Sequence, residues 1–97
     1  MKALVVDDSR AIRSIIRRTL EDMGFGVVEA GHGQEALARL NEQPDIGVLL
    51  VDWNMPVMNG LDLVRRLRRD GRRPDWARLP VLMVTTETEV RPVSYTH

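Results

Sequence analysis

Residues 3–8 read ALVVDD, a run of four apolar residues that stops abruptly at two adjacent carboxylates. Valine and leucine without polar alternation are typical of a strand that is buried on both faces of a parallel sheet. The pattern recurs at residues 48–52, VLLVD, where the apolar run again ends at an acid, Asp52. A further run at residues 80–84 ends before Thr85. These segments predict buried strands whose carboxyl ends carry polar groups.

Helical patterns separate these strands. Ser9 is a typical N-cap, and Gly24 is a typical stop signal, so the sequence predicts a helix between them. Helical spacing assigns to its inward face Ile12, Ile15, Ile16, Thr19, Leu20 and Met23, and to its outward face Arg13, Arg17 and Arg18.

Further elements follow in alternation. We expect a strand at residues 26–30, helices at residues 34–41 and 61–69, and another helix that starts near Glu87 and is interrupted at Pro92. Strands that alternate with helices predict an α/β fold, a doubly wound parallel sheet with helices on both faces.

Composition excludes several classes of function. The 97 residues suffice for one small domain, and the 14 basic and 14 acidic residues give no electrostatic argument for a nucleic-acid partner. Without cysteine there is neither a disulfide nor a thiolate metal site. No run approaches the roughly 20 apolar residues that span a bilayer, and no signal-peptide pattern is present. We therefore expect a cytoplasmic protein.

Acidic side chains meet at one edge of the predicted sheet. Asp7, Asp8, Asp52 and Thr85 all follow strands, and ligands of such sheets bind beyond the carboxyl ends. Converging carboxylates repel each other unless a cation lies between them, and oxygen ligands favour Mg²⁺. A metal there would let a carboxylate attack phosphorus, and a hydroxyl such as that of Thr85 would report the new charge. The plainer interpretation is that these are turn and cap residues.

Three separated segments resemble the hallmark segments of response regulator receiver domains: VVDDS at residues 5–9, LVDWNMP at residues 50–56 followed by Asn59-Gly60, and LMVTTE at residues 82–87. The resemblance runs from about residue 2 to about residue 90, and its DWNMP string is most similar to the chemotaxis subgroup. It implies a flavodoxin-like receiver fold and a conformational switch in two-component signalling rather than an enzyme.

The resemblance also implies roles for individual residues. Asp52 is the phosphoacceptor, and the Mg²⁺ site consists of Asp7, Asp8, Asp52 and the backbone carbonyl of Asn54. Thr85 is the switch hydroxyl, while Asn54 and Glu87 tune the rate of dephosphorylation. The implied partners are a sensor histidine kinase and a downstream effector such as the flagellar motor switch, with no direct contact to nucleic acid or membrane.

The end of the sequence departs from the family pattern. A fifth strand that ends in lysine and a last helix do not follow Thr85, and Lys2, the only lysine, lies at the opposite end of its strand. We therefore expect residues 1–91 to be an incomplete, four-stranded receiver that folds poorly or aggregates through an exposed apolar edge at residues 81–84. Residues 92–97 are expected to be non-native, because VSYTH resembles a translated transposon end; a genuine short terminus is the alternative.

Two other functions remain open at this point. A Mg²⁺-dependent phosphohydrolase with an aspartyl nucleophile would use the same acids, although such enzymes carry a second acid two residues later, where this chain has Asn54. A non-phosphorylatable receiver fragment that only binds proteins would fit the missing lysine. The basic run at residues 65–73 is interpreted as a solvated helix end, and Trp76 as the anchor of a loop.

Overall fold

A computed structural model describes residues 1–52 and 60–84 of the chain. Its elements are β1 (Lys2–Val6), α1 (Arg10–Asp22), β2 (Gly26–Ala30), α2 (Gly33–Glu42), β3 (Ile46–Asp52), α3 (Gly60–Arg69), a short 3₁₀ helix (Pro74–Arg78) and β4 (Val81–Val84). The strands and helices predicted between residues 1 and 84 are confirmed, with ends that shift by one or two residues. The helix predicted near Glu87 lies outside the described residues.

The described strands form one parallel sheet in the order β2-β1-β3-β4. After β1 the chain moves to one side to form β2, and it then crosses back over β1 to form β3 and β4. The sheet therefore changes its direction of growth between β1 and β3. Ligands of such folds bind beyond the carboxyl ends of the two strands at this reversal.

The core lies on both faces of β1, as predicted for a strand without polar alternation. Leu4 and Val6 belong to the larger apolar cluster, beneath α2, α3 and the 3₁₀ helix, whereas Ala3 and Val5 face α1. All four side chains are almost fully buried. The central position of β1 fixes the place of the acids that follow it.

The inward face predicted for α1 was too wide. Leu20 is buried and Ile16 packs beside it, but Ile15 and Met23 are 63% and 67% exposed. Thr19 is also exposed, and its hydroxyl donates to the Ile15 carbonyl at 3.1 Å. The reason is that α1 packs mainly against β1 and β2, so only a narrow stripe of its side chains is covered.

Most arginines of the basic run are exposed, as expected for a solvated helix end, but Arg68 also has a structural role. Its Nη1 donates to the carbonyls of Trp76, Ala77 and Leu79 at 3.0, 2.8 and 3.1 Å. Trp76 is only 5% exposed, which confirms that it anchors this loop, and the guanidinium of Arg73 lies 4.4 Å from the centre of its ring. Arg68 therefore connects α3 to the segment that leads into β4.

Candidate metal and phosphoacceptor site

The turn between β1 and α1 holds Asp7 in a defined position. Its N–H donates to the Ala30 carbonyl at 3.1 Å, which extends the pairing of β1 with β2 by one residue. Its carboxylate Oδ1 accepts the Ser9 N–H at 2.8 Å. Ser9 in turn caps α1, because its hydroxyl accepts the Ile12 N–H at 3.3 Å. The short turn thus converts a buried strand directly into a helix, with Asp7 only 1% exposed.

Asp52 reaches the same place from β3. Val6 pairs with Val51 in the parallel register, so Asp7 and Asp52 are the next residues of two neighbouring strands. Asp52 also pairs with Val84 of β4 and is 5% exposed. The switch point of the sheet therefore carries a buried acid on each side.

Three carboxylates come together at this point. One carboxylate oxygen each from Asp7, Asp8 and Asp52 lies within 4.8 Å of the other two. Asp7 and Asp52 are buried whereas Asp8 is exposed, so the cluster opens to solvent on the side of Asp8. This confirms the predicted convergence of the three acids.

The surroundings of Asp7 disfavour its charged form. Burial raises its pKa above the ordinary value, the Ser9 N–H acts in the opposite direction, and the charge of Asp8 adds to the increase. Its Oδ2 atom is buried and has no hydrogen-bond partner among the described residues. A buried carboxylate oxygen without a donor is costly unless a cation binds it.

The donor set fits a hard divalent cation. All three candidate ligands are carboxylate oxygens, and Mg²⁺ typically binds one or two carboxylates and retains water molecules on its open side. The buried oxygen of Asp7 and the solvent-facing side of the cluster meet both requirements. The other predicted site residues, Asn54, Thr85 and Glu87, lie outside the described residues and stay predictions.

Arg13 was placed on the outward face of α1 by sequence reasoning, and this placement was wrong. Its side chain is 17% exposed, it pairs with Glu29 at 3.0 Å, and its Nη1 donates to the Asp7 carbonyl at 2.6 Å. Helical side chains point toward the N-terminus of their helix. That direction was the one signal in the sequence that could have placed Arg13 over the β1–α1 turn.

Comparison with known proteins identifies the family. The sequence profile described as "Response regulator receiver domain" matches residues 3–94. The chain belongs to the response regulator receiver family. Among curated relatives, this receiver is 51% identical over 88 residues to chemotaxis protein CheY1 of Helicobacter pylori, and 46% identical over 90 residues to chemotaxis protein CheY of Pseudomonas aeruginosa. These alignments cover 90% and 92% of the chain, and 68% and 69% of the relatives.

Solved receivers share the fold. The chain superposes on chemotaxis protein CheY4 of Vibrio cholerae with a TM-score of 0.79 at 41% identity, covering 91% of this chain and 70% of that one. A receiver protein from Pseudomonas putida gives a TM-score of 0.79 at 33% identity, with 91% and 69% covered. The predicted flavodoxin-like receiver fold is therefore confirmed, with four strands and three α-helices among the described residues.

This receiver is homologous to the CheY-type response regulators of chemotaxis, which is consistent with a phosphoacceptor switch in two-component signalling. Receiver domains of this type act as signalling switches and bind Mg²⁺ at an acidic pocket, and this chain has the corresponding acidic group. The chain spans about two thirds of the length of its curated relatives. Within residues 1–52 and 60–84, no helix is long and apolar enough to cross a membrane.

Proposed function

We propose that Asp52 accepts a phosphoryl group from the phosphohistidine of a sensor kinase and that the protein acts as a conformational switch. The observation that carries this proposal is the convergence of Asp52 with Asp7 and Asp8 at the switch point of the sheet. Asp52 ends a central strand and is almost fully buried, so its carboxylate is held in place by the sheet rather than by a loop.

The metal belongs to the same proposal. Asp7, Asp8 and Asp52, with the backbone carbonyl of Asn54, would hold Mg²⁺. When bound, the cation supplies positive charge that offsets the repulsion between the carboxylates and the phosphoryl oxygens. The buried Oδ2 of Asp7 supports this assignment, because a bound cation would give it the partner that it lacks among the described residues.

The reaction itself requires little of the protein beyond positioning. A carboxylate oxygen of Asp52 forms a bond to phosphorus while the phosphorus–nitrogen bond of the phosphohistidine breaks. The electron pair of that bond returns to the imidazole, and the product is an acyl phosphate on Asp52. The burial of Asp52 and Asp7 limits water on the inner side of the site, so the phosphodonor approaches Asp52 from the open side next to Asp8.

The remaining roles follow from the family resemblance. Thr85 would bind the phosphoryl group and signal its presence, and Asn54 and Glu87 would set the lifetime of the acyl phosphate. The downstream partner would be an effector protein such as the flagellar motor switch, reached in the cytoplasm. We assign no direct contact with nucleic acid, and no turnover of a separate substrate.

Labelling with a small phosphodonor tests the proposal. Purified protein incubated with radiolabelled acetyl phosphate and Mg²⁺ is expected to take up label, and Asp52→Asn is expected not to. Asp45→Asn is the matched control, because this acid is exposed and pairs with Lys2 at the opposite end of β3.

The outcomes separate the candidate functions. Equal labelling of the wild-type protein and Asp52→Asn would refute the phosphoacceptor assignment. Repeated turnover of a phosphate ester by the wild-type protein would favour a phosphohydrolase instead. Mg²⁺ binding without labelling would indicate a receiver that serves only as a binding module.

A further inference from the structure

Arg13 connects three elements around the acidic site. Its backbone N–H donates to the Ser9 carbonyl at 3.0 Å, which places it in the first turn of α1. Its Nε atom pairs with Oε1 of Glu29 on β2 at 3.0 Å, and its Nη1 donates to the carbonyl of Asp7 at 2.6 Å. One planar guanidinium therefore links α1, β2 and the residue that directly follows β1.

These contacts complete the restraint of Asp7. The N–H of Asp7 is held by Ala30, its Oδ1 by Ser9, and its carbonyl by Arg13. Glu29 and Ala30 are adjacent on β2, so Arg13 and Asp7 form their hydrogen bonds with neighbouring residues of the same strand. The only polar atom of Asp7 that these bonds leave over is Oδ2, the buried oxygen described above.

Arg13 affects Asp7 mainly by fixing its backbone and only weakly through its charge. Burial has the largest influence on the pKa of Asp7 and raises it, whereas the charge of Arg13 has a small influence in the opposite direction. Much of that charge is already balanced by Glu29, whose oxygens accept from both Arg13 and Arg17. What Arg13 contributes to the site is a fixed backbone at Asp7.

We propose that Arg13 is a positioning residue for the metal site, one that presents the free oxygen of Asp7 to the cation by fixing the β1–α1 turn. This inference rests on the proposed function, because it assigns Mg²⁺ to the three acids. Arg13 itself touches neither the cation nor the phosphoryl group. Its guanidinium donates from two separate nitrogens, Nε and Nη1, to acceptors on different elements, and the compact ammonium of a lysine does not reproduce this planar spacing of donors.

Arg17 provides a matched control on the same helix. It pairs with Glu29 at 2.6 Å and with Glu21 at 3.2 Å, so it shares one acid with Arg13. Its side chain is 44% exposed, and among the described residues it makes no hydrogen bond to the β1–α1 turn. Replacing it removes a neighbouring charge and both of these ion pairs without touching Asp7.

The experiment compares Mg²⁺ binding by calorimetric titration in Arg13→Met, Arg13→Lys and Arg17→Met. Loss of an outer contact to a metal ligand typically weakens binding about tenfold or more, so we expect about a tenfold higher Kd in both Arg13 variants. Arg17→Met should stay within about twofold of the wild-type protein. Arg13→Lys retains the charge and the long stem, so it remains informative where Arg13→Met fails to fold.

A second readout needs no metal. The Ser9 amide donates to the Asp7 carboxylate, so its NMR resonance reports the position of that carboxylate. We expect it to move in Arg13→Lys and to stay in place in Arg17→Met. Unchanged Mg²⁺ affinity and an unmoved Ser9 resonance in Arg13→Lys would overturn the inference while leaving the proposed function intact. A wild-type protein that binds no Mg²⁺ would instead overturn the proposed function, and the metal role of Arg13 with it.

Discussion

Val6 and Val51 are paired residues in neighbouring parallel strands, and each is followed by a buried aspartate. The pairing sets the start of the β1–α1 turn, where Asp7 lies, beside Asp52 at the end of β3. Rigid elements hold functional groups more precisely than loops do. The cost is that two buried carboxylates and the exposed Asp8 are held close together before any cation arrives.

Neutralising Asp7 should stabilise the metal-free protein. Burial and the charge of Asp8 raise the pKa of Asp7, so its ionised form opposes folding at neutral pH. Asp7→Asn keeps an oxygen for the Ser9 N–H and removes the charge. We expect a gain on the order of 1 kcal/mol, roughly 4–8 °C in thermal midpoint, measured without Mg²⁺.

The same variant should lose its response to metal. Mg²⁺ is expected to raise the thermal midpoint of the wild-type protein and to leave that of Asp7→Asn nearly unchanged. Asp45→Asn serves as the control, because Lys2 already holds the pKa of the exposed Asp45 carboxyl below its usual value. A variant Asp7→Asn that is less stable than the wild-type protein would contradict the unfavourable burial of charge assigned to Asp7.

Glu29 should make stability depend on pH in the acidic range. Burial raises its pKa, but hydrogen bonds from Arg17 and Arg13 outweigh burial and hold the pKa below the ordinary 4.5. A carboxyl whose folded-state pKa is lowered stabilises the fold above its unfolded pKa, and this contribution disappears as the pH falls through the folded pKa.

We therefore expect Glu29→Gln to be less stable than the wild-type protein by about 1 kcal/mol at neutral pH. The difference should shrink once the pH falls below 4.5, the ordinary pKa of this group. Urea unfolding at a series of pH values measures it. Glu21→Gln, which removes only the exposed pair with Arg17, is the control and should cost less than about 0.5 kcal/mol. A Glu29 difference that is constant with pH would argue against the ion pair as its source.

His32 should contribute to stability as the N-cap of α2. Its backbone is extended, and its Nδ1 accepts the Glu35 N–H at 3.2 Å, while the Glu35 carboxylate accepts the Gly31 N–H in return. Removing an N-cap acceptor costs about 1 kcal/mol. His32→Ala is therefore expected to lose about that amount, and His32→Asn, which keeps an acceptor, to lose only a few tenths.

Denaturant unfolding of the two His32 variants gives the comparison directly. Gln34→Ala is the control for the effect of an alanine substitution on the free energy of unfolding, because Gln34 is exposed in the same first turn. Equal loss in His32→Ala and His32→Asn would show that the side chain acts by something other than capping.

Arg68 should stabilise the segment between α3 and β4. Its Nη1 donates to three carbonyls, and the bonds to the carbonyls of Trp76 and Leu79 are partly buried. Arg68→Met leaves these acceptors without their donor, at a cost of about 1–2 kcal/mol. Arg69→Met changes the neighbouring exposed arginine of α3 and should fall within about 0.5 kcal/mol of the wild-type protein. Urea unfolding distinguishes the two, and equal midpoints would contradict the role given to Arg68.

The elements of this fold could be predicted locally because their signals are local. Buried parallel strands require unbroken apolar runs, and ALVVDD and VLLVD supply them. Ser9 and Gly24 mark the helix between the first two strands, and Gly24 adopts the positive φ of 94° that its position after the helix requires. Side-chain partners were harder to predict, as the outward placement of Arg13 and the inward placement of Ile15 and Met23 show.

The sequence by itself determined which residues end the strands, and therefore that Asp7, Asp8 and Asp52 lie at one edge of a parallel sheet. It also determined the family, because the motifs occur in the right order on the right elements. Only the tertiary structure decided the register that sets Asp7 beside Asp52, the orphan oxygen of Asp7, and the turn of Arg13 toward the site. The physical reason is that a strand or helix pattern reports burial along one element, whereas a long, charged side chain takes its partners from other elements that only folding brings near.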